Sequence, residues 1–150
     1  MRTLAVLLFV FTALGPPAWL PAGAAHTHPA VVRVAPADEY FGRLKMSILG
    51  IRNQLHDLGL RLQYAPERSE DVLGSAATVE DAMRDWERKY PADPWLAKSV
   101  YELTQLYARV HTEHGHESAA RALRWLLARY GHTAYGAQAR VQIRPQVGLR

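Results

Sequence analysis

The feature that most constrains this chain is a segment written twice. Ala82-Met83-Arg84 leads through Arg88-Lys89-Tyr90-Pro91 to Trp95 and Ala97. Forty positions later, Ala122-Leu123-Arg124 leads through Ala128-Arg129-Tyr130-Gly131 to Tyr135 and Ala137. Each copy reads as the end of one helix, a sharp stop and the start of the next. A fixed period of this size is the mark of stacked helical hairpins, each burying its apolar face on its neighbours.

The repeat resembles the tetratricopeptide family. Its usual pattern is W-x2-L-G-x2-Y on a first helix, A-x3-F on a second, then Pro. Val100-x2-Leu103-Thr104-x2-Tyr107 falls on the first part, Ala119-x3-Leu123 on the second, and Gly131 on the Pro. In the preceding copy Val79-x3-Met83 leads to Pro91 at the same distance. The period is 40 rather than about 34. Three added residues lie between Pro91 and Val100, and three in the turn between Tyr107 and Ala119. The run Trp125-Leu126-Leu127-Ala128-Arg129-Tyr130 with Thr133-Ala134-Tyr135 is similar to the longer repeats of exported envelope proteins of outer-membrane assembly and the Tol-Pal type. The resemblance covers residues 79–143. It implies an all-α fold of antiparallel hairpins stacked as a short tetratricopeptide-like solenoid. The alternative for the same helices is a closed four-helix bundle.

A chain of 150 residues is expected to form one domain. It has no cysteine, so disulfides, thiolate metal sites and cysteine nucleophiles are excluded. The formal charge is +4, and the segment after Glu117 has six arginines and no acidic residue. Because the whole chain uses 15 Arg against 3 Lys, this reads as composition rather than an anion site.

Residues 1–25 read as a signal peptide. Arg2 precedes the apolar run Leu4–Leu14, which is too short to span a bilayer. Ala22-Gly23-Ala24 supplies the small residues of a cleavage site, after Ala24 or else Ala25. The mature protein is then exported, to the periplasm where an outer membrane exists. Residues 26–37 read as a Pro- and Ala-rich tether, 38–143 as the helical domain and 144–150 as a loose tail.

Asp38 is the expected cap of the first helix. Phe41, Leu44, Ile48, Ile51, Leu55, Leu58 and Leu62 form its apolar seam. That seam packs on the repeats, or alternatively pairs two copies as a coiled-coil homodimer. Ser69 caps the second helix, with Val72, Ala76, Val79, Met83, Trp86 and Tyr90 inside and Pro91 as its stop. Asp93-Pro94 opens the third, which buries Leu96, Val100, Leu103, Tyr107 and Val110 and ends at Gly115. The fourth starts near Glu117 and buries Ala119, Leu123, Leu126 and Tyr130 before Gly131, expected as a left-handed terminator. Thr133 caps a short fifth helix that Pro145 ends. The breaks are expected near 63–68, 91–93, 114–116 and 131–132.

No catalytic constellation stands out: there is no phosphate loop, G-x-S-x-G or H-E-x-x-H. Asp81 with Asp85, and Glu80 with Glu87, read as surface partners of Arg84 and Arg88. Trp86 and Trp95 read as core. No nucleic-acid partner is expected, since the aromatics alternate with apolar rather than basic residues.

Two function classes follow. The first is a non-enzymatic adaptor for a protein or peptide of the cell envelope. The family resemblance implies a concave surface lined by first helices. On the third helix the face away from the core carries Lys98, Tyr101, Glu102, Gln105 and Arg109, a polar strip with one aromatic. The second is metal binding. His111, His114 and His116 cluster at the expected third turn, where imidazoles with a carboxylate suit Zn²⁺, Cu²⁺ or Ni²⁺ weakly. The competing account is a solvated turn, with imidazolium favoured at a helix C-terminus. His26 and His28 form a Cu²⁺ or Ni²⁺ site only if the mature chain begins at His26.

Overall fold

The computed structural model describes residues 33–148, all within one compact unit spanning Val31–Arg150. The signal-peptide reading and His26 and His28 lie outside the described residues. The chain is mostly helical. A two-stranded hairpin, β1 (Tyr40–Phe41) with β2 (Met46–Ser47), leads into α1 (Ile48–Tyr64). A 3₁₀ turn (Pro66–Arg68) then leads to α2 (Ser69–Lys89), α3 (Pro94–Ala108), α4 (Glu113–Tyr130), α5 (Ala134–Gln142) and α6 (Arg144–Val147).

The N-terminal boundary differs from the expected one. Asp38 caps nothing, and α1 begins ten residues later, with the Ser47 hydroxyl accepting from the Gly50 N–H at 3.1 Å. Gly42 and Lys45 take left-handed φ values of 68° and 53°, which no right-handed helix accommodates. Tyr40 pairs with Ser47 and Phe41 with Met46. Phe41 is buried, its ring 5.8 Å from Trp86 and edge-on to Tyr90 at 6.1 Å, while Leu44 at the hairpin tip is 67% exposed. Gly42 lies so close to α2 that an added Cβ would stand 2.7 Å from the Ala82 Cα. Of the expected tether, residues 33–37 are described. There Ala35 is buried and donates its N–H to the Asp93 carboxylate at 2.9 Å.

The helix bodies carry the expected apolar stripes. Ile51, Leu55, Leu58 and Leu62 of α1 are buried, as are Val72, Ala76, Val79, Met83 and Trp86 of α2. So are Leu96, Val100, Leu103 and Tyr107 of α3, and Ala119, Leu123, Leu126 and Tyr130 of α4. The helix α3 lies among α1, α2, α4 and α5. Asp93 caps α3 as expected, accepting from the Trp95 N–H at 3.0 Å. Ser69 is the first residue of α2 rather than its cap, since the 3₁₀ turn runs straight into the helix.

The turn between α3 and α4 falls at residues 109–112, not 114–116. Thr112 is extended and its hydroxyl accepts from the Gly115 N–H at 3.2 Å, so it opens α4. Gly115 sits inside the first turn of α4, where a Cβ would meet the Val110 carbonyl oxygen at 2.2 Å. It is a close-approach glycine rather than a terminator. Gly131 has right-handed angles (φ −59°, ψ −21°), correcting its expected left-handed role. Thr133 caps α5 as expected. Pro145 lies in the first turn of α6, so residues 144–147 are helical rather than loose. No described helix is long and apolar enough to cross a membrane.

Candidate functional site

The helices α1 and α3 pack side by side, and their outer edges leave a groove of about 510 Å³. Both edges follow from helical spacing. Beside the buried stripe of α1 runs a second line, Leu49, Asn53, His56, Leu60 and Gln63, with Arg52 at its side, and these residues form one wall. Glu102, Gln105, Leu106 and Arg109 of α3 form the other. Steps of three and four keep each line on one face of its helix.

The groove continues past both ends. A depression of about 250 Å³ shares Leu49 and Arg52 with it and adds Val34, Ala35, Ala37, Ile48 and Trp95. Another of about 250 Å³ shares Gln105 and Arg109 and adds Ala108, Gln142, Ile143 and Gln146. The result is one track over α1, α3 and the α5–α6 end. It holds exposed apolar surface at Leu49 (63%), Leu60 (40%), Trp95 (47%) and Val34 (51%). Trp95 is therefore not core: its ring lies under the Arg52 guanidinium, 5.5 Å from ring centroid to Cζ.

The charge of the track is basic. Glu102 contributes the carboxylate of the main groove, and Lys98 faces it at 3.7 Å. Arg52 stacks on Trp95, and Arg109 donates weakly to the Gly59 carbonyl at 3.4 Å. Neither arginine has a carboxylate within ion-pair distance among the described residues. Asn53, His56 and Gln63 make no side-chain hydrogen bond to any described residue.

Four of the five expected strip residues, Lys98, Glu102, Gln105 and Arg109, lie on or beside this track. Tyr101 does not. It is buried, its ring 5.7 Å from Tyr135. Its hydroxyl donates to Gln142 at 2.7 Å and accepts from Gln105 at 2.9 Å, and burial raises its pKa. Helix α5 covers the face that a bare α3 would expose. The α1 wall is not among the expected residues, although Leu49, Asn53, His56, Leu60 and Gln63 carry the signal for it in their three-four spacing.

The three histidines are not brought together. His111 lies in the α3–α4 turn, and His114 and His116 lie in the first turn of α4. They stand at a helix N-terminus, not at the helix C-terminus expected from the sequence. The His114 Nδ1 lies 3.5 Å from a Glu70 carboxylate oxygen, with both side chains mostly exposed. Among the described residues no group of three or more His, Asp or Glu could hold a metal ion.

Glu80 and Glu87 of α2 are structural acceptors, while Arg84 and Arg88 pair with Glu80 and Asp85 as expected. Glu80 accepts from the Tyr107 hydroxyl at 3.1 Å and from Arg84 at 3.0 Å. Glu87 accepts from the Trp125 indole at 3.0 Å, the Tyr130 hydroxyl at 2.9 Å and Arg129 at 3.1 Å. Burial, then these carboxylates, push both tyrosine hydroxyls far up. Glu80 and Glu87 thus point to different partners.

Comparison with protein-family models, curated proteins and solved structures returns no match for this chain.

Proposed function

We propose that this protein is an exported, non-enzymatic adaptor that holds a segment of another cell-envelope protein in the track over α1 and α3. In this reading the helices stack as tetratricopeptide-like hairpins, with α1, α3 and α5 as first helices. The packing order supports it: α1 lies on α2 and α3, and α3 on α4 and α5. The observation that carries the proposal is the track itself. It is long and open, and it combines exposed Leu and Trp with amides that have no partner inside the described protein. Such a mixture suits a chain segment bound by side-chain packing and by hydrogen bonds to its backbone.

The test is cross-linked capture from envelope extract. Asn53 is exposed and lines the groove, so Asn53→Trp fills it without touching the core. A partner held by wild type and by Arg124→Ala on exposed α4 surface is expected to be lost with Asn53→Trp. Equal capture by Asn53→Trp overturns the proposal.

A further inference from the structure

We propose that the occupant of the track is an extended acidic protein segment with polyproline-type geometry, in which two carboxylates three residues apart meet Arg52 and Arg109 and an adjacent apolar side chain seats on Trp95 and Leu49. This rests on the adaptor reading and adds the chemistry of the partner.

The charges come first. Glu102 is offset by Lys98 at 3.7 Å, so the groove's excess charge is that of Arg52 and Arg109. Both guanidiniums are exposed and, among the described residues, hold only soft partners: the Trp95 ring for Arg52, the Gly59 carbonyl at 3.4 Å for Arg109. A carboxylate can add to each without displacing an ion pair, and guanidinium with carboxylate forms a strong charge-assisted bond.

The spacing follows from α1. Arg109 contacts the helix at Gly59, and the Arg52 backbone lies about two turns earlier, about 10 Å along the axis, with its guanidinium over the Trp95 ring. A β-strand puts same-face side chains at i and i+2, about 7 Å apart, or at i and i+4, about 13 Å apart. Neither matches. A polyproline II segment has three residues per turn and a rise of about 3.1 Å, so positions i and i+3 share a face about 9 Å apart. That backbone has no internal hydrogen bonds and leaves its carbonyls for donors such as Asn53 and Gln63. Beyond Arg52, on the side away from Arg109, Trp95 and Leu49 offer the apolar seat.

The probes are fluorescein-labelled, proline-rich nonapeptides, read by anisotropy with the full chain. Each carries two aspartates three positions apart and a leucine two positions outside them, in both chain directions. One direction is expected to bind wild type with a Kd of about 10–100 μM. Replacing both aspartates by asparagine, or the protein change Arg52→Glu or Arg109→Glu, is expected to weaken binding at least about tenfold. The double variant is expected to bind the lysine-for-aspartate peptide that wild type rejects. Circular dichroism confirms that these surface variants stay folded. Wild type binding both aspartate peptides no better than asparagine ones, or binding unchanged in both single variants, overturns the proposal. If that happens while Asn53→Trp still abolishes partner capture, the adaptor reading stands and only the acidic segment falls.

Discussion

Asp93 shows how much one side chain organises. It is 2% exposed, and its two oxygens accept three N–H groups: the Ala35 amide, the Trp86 indole at 3.1 Å and the Trp95 amide. One carboxylate thus ties down the chain before the hairpin, fixes a core tryptophan and caps α3. Asp93→Ala leaves the first two donors without a partner and removes the cap, so it is expected to cost about 3 kcal/mol in urea unfolding followed by tryptophan fluorescence. A loss below about 1 kcal/mol would show that water replaces the carboxylate. Asp85 does related work for the hairpin by accepting from the Gly42 N–H at 2.9 Å. That bond, chiefly, holds its carboxyl below the usual range against the opposing effect of burial, with Lys89 and Arg88 adding to it. A lowered folded pKa means stability that is fully present above the unfolded value of about 3.9 and is lost as pH falls through the folded one. Stability is therefore expected to fall in acid below about pH 4, and Asp85→Asn is expected to flatten that slope. An identical slope in the variant would assign the acid sensitivity elsewhere.

At the scale of elements, the glycines separate cleanly. Gly115 faces the Val110 carbonyl, so Gly115→Ala forces a backbone shift and is expected to destabilise by about 1–3 kcal/mol. Gly74 lies exposed inside α2 with nothing within 4 Å of an added Cβ. Gly74→Ala is expected to stabilise by about 0.5–1 kcal/mol. Thermal melts of the two variants check both signs at once. The contrast explains which parts of the fold are legible in the sequence. Helix bodies are legible because Val72 to Trp86 or Leu96 to Tyr107 repeat every three or four residues, and that period has one meaning. The stops at Pro91 and the openings at Asp93 and Thr133 are legible because their chemistry is local. The α3–α4 turn is not. Thr112 and Gly115 are both plausible boundary residues, and the burial of Val110 against Gly115 decides between them only once the helices pack. The hairpin is hidden for a similar reason: Phe41 and Leu44 continue the spacing of α1 by coincidence, while the left-handed Gly42 and Lys45 turn the chain between β1 and β2, with Gly42 against α2. Half of the candidate site is legible, namely Lys98, Glu102, Gln105 and Arg109. Tyr101 misleads because the line of α3 does not reveal that α5 will cover it.

For the molecule as a whole, the question is whether the helices open together or in sequence. Packing concentrates on α3, which α1, α2, α4 and α5 all touch. The C-terminal end is thin by comparison: α5 buries Gly136 and Ala139, and Ile143 follows it. In stacked hairpins each helix depends on its neighbours, so opening starts at an end and spreads. A closed bundle shares one core and opens as a unit. Native-state hydrogen exchange separates these cases, because local openings exchange at lower free energy than global unfolding. Amides of α5 and α6 are expected to exchange first, in a step that leaves α1 to α3 protected, and those of Val100 to Tyr107 last. Truncation before Ala134 is expected to uncover Tyr101 and to speed exchange in α4 more than in α1. Exchange of α5 at the same free energy as α3, with both rising and falling together in denaturant, would mean a single cooperative core. The track over α1 and α3 would then be a surface of a bundle rather than the inner face of a repeat array.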